Sequence, residues 1–518
     1  MGRRLGSAVA LAIGLALAGS GSVPATAVIS AASCETLASL VLPNASINTA
    51  QSVTAGVLSV QGPGGGSAPP QTLSNLPALC RVIATLKPSA DSNIRIEVWL
   101  PTANWNGKFM ALGNGGFLGA INYGQMRDPL LRGYAVAATD TGHEGGLSDA
   151  SWALGHPEKQ IDFGYRSVHE MTVQAKAVVR AFYGGEPRLS YWNGCSSGGK
   201  QGLKEAQRFP DDYNGIIAGA PANNWVHLLT SFVAVAQAVR VDPADAIPPS
   251  KYPLINNAVM TRCDLADGVK DGILEDPRRC RFDPGVLQCT GALSDDCLTA
   301  PQVAALKKVY APVKNSRTGQ GIYPGLPVGS ELGWANLPQP FAIAESHFRF
   351  IVFENPSWDF STMNFDTDVA RAEAIDARVG QFTATDPDLS AFKKRGGKLL
   401  QYHGWNDQQI SAQNSIDYHD TVVARMGGVR ETDDFYRLFM VPGMLHCGGG
   451  RGTDRFDTIA AMEQWVERGV APARIEASHI TDGKVDRTRP LCPYPQVAVY
   501  SGSGSTDASA NFSCRVQP

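Results

Sequence analysis

From Ile94 the chain alternates apolar residues with others through Ile96, Val98 and Leu100, the period of a strand. Lys108 to Leu112 is a second strand run, ending in Gly113-Asn114-Gly115-Gly116, and Tyr134 to Thr139 is a third, followed by Asp140 and the turn Thr141-Gly142-His143. Val168 to Tyr183 and Gly199 to Phe209 have helical character, with strands at Leu189 to Trp192 and Gly215 to Ala218. Strand alternating with helix predicts βαβ units, an α/β fold and a mostly parallel sheet. The rhythm stops after Pro221 and resumes at Gly397 to Tyr402, at Phe435 to Val441, and in a helix around Asp457 to Arg468 that sets Ile459, Met462 and Val466 on one face. Between them, residues 224–387 carry Asp-Gly turns, clustered cysteines and scattered aromatics, so an inserted domain is expected there. Up to about Ala90 the chain is rich in Ser, Pro and Gly, with a loop at Gly62 to Pro70, and reads as an irregular segment pinned by Cys34 and Cys80.

At 518 residues and 43% hydrophobic, the chain has material for a large core and more than one domain. A net charge of −3 leaves no basic stripe for nucleic acid. Arg3 and Arg4 precede an apolar run from Ala8 to Ala18 and a small-x-small site at Ala25-Thr26-Ala27, which predicts a signal peptide over 1–27 and a secreted or periplasmic protein. That run is too short to span a bilayer and no later one is long enough, so no membrane anchor is expected. Ten cysteines, an even number with no C-x-x-C pair, argue for disulfides in such a compartment. Local pairing would join Cys263 with Cys280, Cys289 with Cys297 and Cys492 with Cys514, although spacing alone does not fix connectivity.

Gly194-Cys195-Ser196-Ser197-Gly198 fits G-x-S-x-G, a strand-to-helix turn too tight for neighbouring Cβ atoms that lifts its serine above a sheet. Ser196 is the candidate nucleophile; the bland alternative is a Gly/Ser turn without chemistry. A serine nucleophile needs a base, and the base a carboxylate, in the order Ser, Asp, His on loops after strands. Asp407, after the strand ending at Tyr402, and His446, after the one ending at Val441, fill those places. A bridge between Cys195 and Cys447 would hold their Cα atoms about 5.5 Å apart and force Ser196 and His446 together; the alternative is two buried thiols. Acyl transfer also needs donors for an oxyanion, one from the Ser197 N–H and a second from the Gly113–Gly116 loop. In Cys263 to Ile273, Asp264, Asp267 and Asp271 alternate with glycines, which suits calcium or two exposed Asp-Gly turns.

These motifs resemble the tannase and feruloyl esterase family of α/β-hydrolases, which includes mono(2-hydroxyethyl) terephthalate hydrolase. The matching residues are Gly194 to Gly199, Gly404-Trp405-Asn406-Asp407 and Met444-Leu445-His446-Cys447, with Arg208-Phe209-Pro210, Ala218-Gly219-Ala220-Pro221 and Arg489 to Tyr494 supporting them. The resemblance runs from about Cys34 to Cys514. It implies an α/β-hydrolase core in two parts, 28–223 and 388–518, around a lid at 224–387, and a Ser196-Asp407-His446 triad clamped by Cys195–Cys447. It further implies an oxyanion hole of Ser197 with Gly116, or Gly115 close behind, and a structural calcium ion. The calcium ligands would be the side chains of Asp264, Asp267 and Asp271 and the carbonyls of Val269 and Ile273. The expected substrate is a small aromatic ester, of a hydroxycinnamic or gallic acid for example, cleaved through an acyl-enzyme. Trp334, Phe341, Phe348, Phe350, Phe353 and Trp358 either wall its pocket or form core, and Arg349 is the cation among them. The alternative within the class is a terephthalate monoester hydrolase, but Arg349 does not align with the residue that holds the free carboxylate in the mono(2-hydroxyethyl) terephthalate hydrolase, where Ala342 stands, which counts against strict terephthalate specificity. A catalytically silent, calcium-dependent binding protein and a peptidase are the alternatives of another class; the oligomeric state is open.

Overall fold

Nine strands of the computed structural model form one sheet that carries the site at one end. The structure describes Gly2 and residues 33–62, 69–240 and 246–517; apart from Gly2, the segment 1–27 expected to be a signal peptide lies outside the described residues, as does most of the Gly62–Pro70 loop. In chain order the strands are β1 (Ala45–Val53), β2 (Leu79–Leu86), β3 (Ile94–Pro101), β4 (Lys108–Leu112), β5 (Ala135–Thr139), β6 (Leu189–Cys195), β7 (Gly215–Gly219), β8 (Lys398–Gly404) and β9 (Tyr436–Val441). Their spatial order is β1-β2-β3-β5-β4-β6-β7-β8-β9. β1, β2, β3 and β5 pair antiparallel in succession, and every pairing from β5 to β9 is parallel.

The parallel strands are continuous apolar runs because both sheet faces are covered. Phe109, Trp192, Ile216 and Leu399 point into one core with Met171, Ala175 and Val178 of α1 (Ser167–Tyr183), Leu203 and Ala206 of α2 (Ser197–Arg208), and Ile416 and Val422 of α4 (Ala412–Arg425). Their neighbours Met110, Tyr191, Ile217 and Leu400 point the other way, onto Ile459 and Met462 of α5 (Thr458–Arg468). Between α2 and α4 the chain leaves β7 through α3 (Trp225–Arg240).

The N-terminal segment departs from the expected irregular coil. β1 and β2 extend the sheet, and Gly56–Val60 pairs with Gln71–Leu76 as a separate hairpin. In β1 most alternate positions are polar and face water, so little of its sequence looks like core. The C-terminal region likewise forms a sheet of Arg455–Phe456, Ile475–Thr481 and Lys484–Leu491, then a hairpin of Gln496–Tyr500 with Phe512–Val516.

The stretch between β7 and β8 has an apolar centre of its own in Val239, Ile255, Leu306, Trp334 and Leu337. A second cluster joins its Trp225, Phe348 and Trp358 to Phe117, Trp152 and Phe163. All ten cysteines are paired: Cys34–Cys80, Cys195–Cys447, Cys263–Cys280, Cys289–Cys297 and Cys492–Cys514. No helix among the described residues is long and apolar enough to cross a membrane.

Candidate active site

The turn from β6 into α2 holds Ser196 at φ 64°, ψ −122°, a conformation that costs a non-glycine residue about 1–3 kcal/mol and persists only where its surroundings enforce it. They do so here through the Ser196 N–H, which donates to Gly219 O at 3.0 Å, and its carbonyl, which accepts from Ala222 N at 3.1 Å. Gly194 is required beside it, since a Cβ there would lie 2.6 Å from the Gly198 carbonyl carbon.

The loops after β8 and β9 are stitched together, Trp405 N donating to Val441 O at 2.9 Å and Asn406 N to Met444 O at 3.0 Å. That joins the acid to the base. His446 Nδ1 lies 2.7 Å from Asp407 Oδ2, and its Nε2 lies 3.0 Å from Ser196 Oγ. With Nδ1–H donating to the carboxylate, Nε2 is left to accept the serine proton. The Cys195–Cys447 bridge, Cα to Cα 6.1 Å, ties the residue before Ser196 to the residue after His446.

Asp407 is fully buried, which by itself would raise its pKa; the charge of His446 and hydrogen bonds from His403 and His446 overturn that and hold it well below the usual carboxylate range. Burial alone would lower His446, but the charge of Asp407 and their hydrogen bond raise it above the ordinary imidazole value. The second Asp407 oxygen is also filled, accepting from Gln409 N at 2.8 Å and Ile410 N at 2.9 Å.

His403, at the end of β8, carries no motif that announces it. Its Nε2 stands 3.1 Å from Asp407 Oδ2 and 2.9 Å from Ile410 O, two acceptors, so this nitrogen bears the proton. Its Nδ1 meets Ser415 Oγ at 2.7 Å, Gln401 Nε2 donates to that oxygen at 2.6 Å, and Tyr436 donates to Gln401 Oε1 at 2.6 Å. A buried chain of donors thus runs from Tyr436 to the acid. The available signal was a histidine four residues before that acid on a mostly buried strand. Lys200 is equally unannounced: fully buried in α2, its Nζ stands 4.4 Å from the ring centroids of both Phe163 and Trp225, and burial lowers it to about 7.

Gly115, Gly116 and Ser197 line the serine's cavity, and their backbone amides have no acceptor among the described residues. Gly116 has φ +48°, and a Cβ on it would lie 2.3 Å from Leu147 O. The loop is anchored to the elbow helix, Asn114 N donating to Gln201 Oε1 at 3.0 Å. These amides, Ser196 and His446 share a cavity of about 340 Å³ walled by Trp225, Leu228, Leu229, Phe232, Phe341 and Ile343. Arg349 and Phe350 do not line it: Arg349 pairs with Glu345 at 2.6 Å and donates to Trp358 O at 3.0 Å. Trp334 lines a neighbouring cavity, while Phe348 and Trp358 are core.

In the acidic loop, Asp264 Oδ1 accepts from Gly272 N at 2.8 Å, Asp267 from Val269 N at 2.9 Å, and Asp271 from Ile273 N at 3.2 Å while also pairing with Arg489. Burial pushes Asp267 and Asp271 up, and Glu275 behind them to about 8. Buried acid in excess of its cations is an environment that a hard divalent ion neutralises, so the donor set fits calcium. No three of these side chains bring an oxygen each within 4.8 Å of one another, so they are grouped more loosely than a closed cage.

Residues 80–515 match the family model described as tannase and feruloyl esterase. An uncharacterized esterase of Xanthomonas campestris is 41% identical over 97% of this chain and 94% of its own length. The mono(2-hydroxyethyl) terephthalate hydrolase of Piscinibacter sakaiensis is 37% identical over 82% of each chain. The crystal structure of feruloyl esterase B from Aspergillus oryzae superposes with a TM-score of 0.86 at 33% identity, covering 93% of this chain and 99% of that one. With an α/β-hydrolase sheet, a serine on its elbow and likeness over nearly its whole described length, the chain belongs to the tannase and feruloyl esterase family, whose members hydrolyse carboxylic esters.

Proposed function

We propose that the chain is an exported serine esterase that cleaves esters of aromatic acids through an acyl-enzyme, with calcium bracing its acidic loop. The observation that carries this reading is the line Asp407–His446–Ser196, at 2.7 and 3.0 Å, ending beside three free amides in an apolar cavity. Ser196 Oγ attacks the ester carbonyl as its proton passes to His446 Nε2, and the displaced electron pair settles on the carbonyl oxygen among the N–H groups of Ser197 and Gly116 or Gly115. Asp407 stabilises the imidazolium. Collapse of the adduct breaks the bond to the alcohol oxygen, which takes the proton from Nε2. Water then attacks the acyl-enzyme, giving its proton to Nε2, and the acid leaves as Ser196 Oγ recovers a proton.

An aromatic acyl group suits walls made of Trp225, Phe232 and Phe341. Among the described residues no Asp, Glu, Lys or Arg lines the cavity, so these offer no cation to the free carboxylate of a terephthalate monoester. Calcium held by the side chains of Asp264, Asp267 and Asp271 and the carbonyls of Val269 and Ile273 would neutralise the loop and takes no part in the acyl transfer. Five disulfides suit an oxidising, extracytoplasmic compartment.

The test is turnover of methyl ferulate and p-nitrophenyl butyrate by the wild type and Ser196→Ala. The variant is expected to lose about 10³- to 10⁶-fold in kcat with its fold intact. Equal rates would remove the triad, and absence of turnover in both proteins would favour a silent binding protein.

A further inference from the structure

A second cavity, about 230 Å³, adjoins the one over Ser196, and Phe232, Phe341 and Gln409 belong to the walls of both. The rings of Phe232 and Phe341, centroids 5.4 Å apart, stand where the two meet. Beyond them the lining is Val235, Leu326, Trp334, Leu337 and Ala342, with no Asp, Glu, Lys, Arg or His among its residues. A chamber of this size without charge is suited to an apolar group and costly for an ionic one.

The reaction's geometry says which half of an ester would enter it. The carbonyl oxygen goes to the amides of Ser197, Gly115 and Gly116, and the alcohol leaves on the side of His446 Nε2, which must protonate it. Two walls remain: one with the amide side chains of Asn122 and Gln125 and the hydroxyl of Ser148, and the apolar one built by α3 with Phe341 and Ile343, which is the wall that suits an apolar acyl substituent. This helix starts near the elbow, where Ala222 N donates to Ser196 O, and contributes Trp225, Leu228 and Leu229 to the first cavity, Phe232 to both and Val235 to the second. At 1.5 Å per residue, Phe232 lies about 10 Å along the axis from Trp225, deeper than one ring directly on the carbonyl extends.

We infer that the second chamber is an acyl-side subsite, and that the enzyme's preferred substrates are esters of extended, uncharged acids, two rings long or a ring on a long apolar tail. This rests on the acyl-enzyme reading of Ser196, and the experiment separates the two. Methyl esters of cinnamic acid and of its 4-phenyl derivative vary the acyl side; methyl, benzyl and naphthylmethyl cinnamates vary the alcohol. The two-ring acyl ester is expected to exceed the one-ring ester about tenfold in kcat/KM, a difference in the range that added apolar contact supplies, with a smaller dependence on the alcohol. Ala342→Trp, a change at an exposed position of the chamber wall, should abolish that preference. In Ser196→Ala, isothermal titration with the two free acids should show the two-ring acid binding about tenfold tighter, and the added Ala342→Trp should remove the difference. No two-ring preference, an equal effect of Ala342→Trp on both acyl groups, or a size dependence on the alcohol side overturns the subsite. Failure of every ester alongside selective binding by Ser196→Ala would instead overturn the esterase reading and leave the chamber as a binding site for the two-ring acid.

Discussion

The acid of the triad is held by two histidines, and they have different work. In the proposed mechanism His446 exchanges the proton with Ser196, while His403 donates to the same Asp407 oxygen and is itself locked by Ser415, Gln401 and Tyr436. The pKa of His446 is raised by Asp407. Its ion pair therefore adds stability that is complete below the ordinary imidazole value and fades as pH rises through the raised folded value. Activity runs the other way, because only neutral His446 accepts the serine proton. The acid limb of kcat/KM should accordingly lie above the ordinary imidazole value, and Asp407→Asn should move it down while lowering kcat about 10⁴-fold. His403 calls for a separate variant pair. His403→Phe is expected to lower kcat about 10- to 100-fold with KM little changed, and His403→Gln, whose amide can donate to Asp407, to recover part of it; equal losses in both would reduce His403 to packing. Ser196, Asp407 and His446 were legible because each follows a strand signature at a turn. His403 and Lys200 were not, because what distinguishes them is a partner brought in by tertiary packing, the carboxylate of Asp407 for one and the rings of Phe163 and Trp225 for the other.

Among elements, legibility followed burial. β4 to β9 are covered on both faces and so stand out as apolar runs, whereas β1, with Ser46, Asn48, Ser52 and other polar residues, is an edge strand recognisable only through its partner β2. The charged hairpin of Ile475–Thr481 with Lys484–Leu491 escaped for the same reason. Disulfides then tie elements that the sheet alone leaves apart, and two of them can be told apart by function. Cys195–Cys447 closes 252 residues and joins the elbow to the base loop; Cys34–Cys80 closes 46 and joins the N-terminal turn to β2. Chain-entropy arguments give about 4 kcal/mol for the shorter loop and about 5.5 kcal/mol for the longer. Replacing either pair by alanine should therefore shift a urea melt by a similar amount. Only loss of Cys195–Cys447 should also reduce kcat of the still-folded protein, by about 10²-fold or more, because it releases Ser196 from His446. Equal kcat in the two double variants would make both bridges purely stabilising.

At the scale of the molecule, the acidic loop joins parts far apart in sequence. Asp271 pairs with Arg489 at the end of one C-terminal strand, Glu275 accepts from Ala498 N at 2.8 Å in the next, and Val269 packs with Cys492, Ala498 and Phe512. The same loop follows helix Tyr252–Cys263 of the expected insert between β7 and β8 and is stapled by Cys263–Cys280. An ion there would couple the insert to the C-terminal hairpin without touching Ser196, so its removal should act on stability before chemistry. An ion present at about 100 times its Kd adds about 2.7 kcal/mol, which for a chain of this size moves the melting temperature on the order of 2–3 °C. Chelation is expected to lower the melt by that amount, and calcium, but not magnesium, to restore it, since magnesium demands a tighter octahedron than these loosely grouped oxygens offer. Asp264→Asn, at the carboxylate that holds the amides of Asp271 and Gly272, should lose the calcium response while kcat measured well below the melt stays within about twofold. A melt indifferent to chelator would leave the loop braced by Arg489 and its own backbone alone, and a parallel fall in kcat would move calcium from scaffold to site.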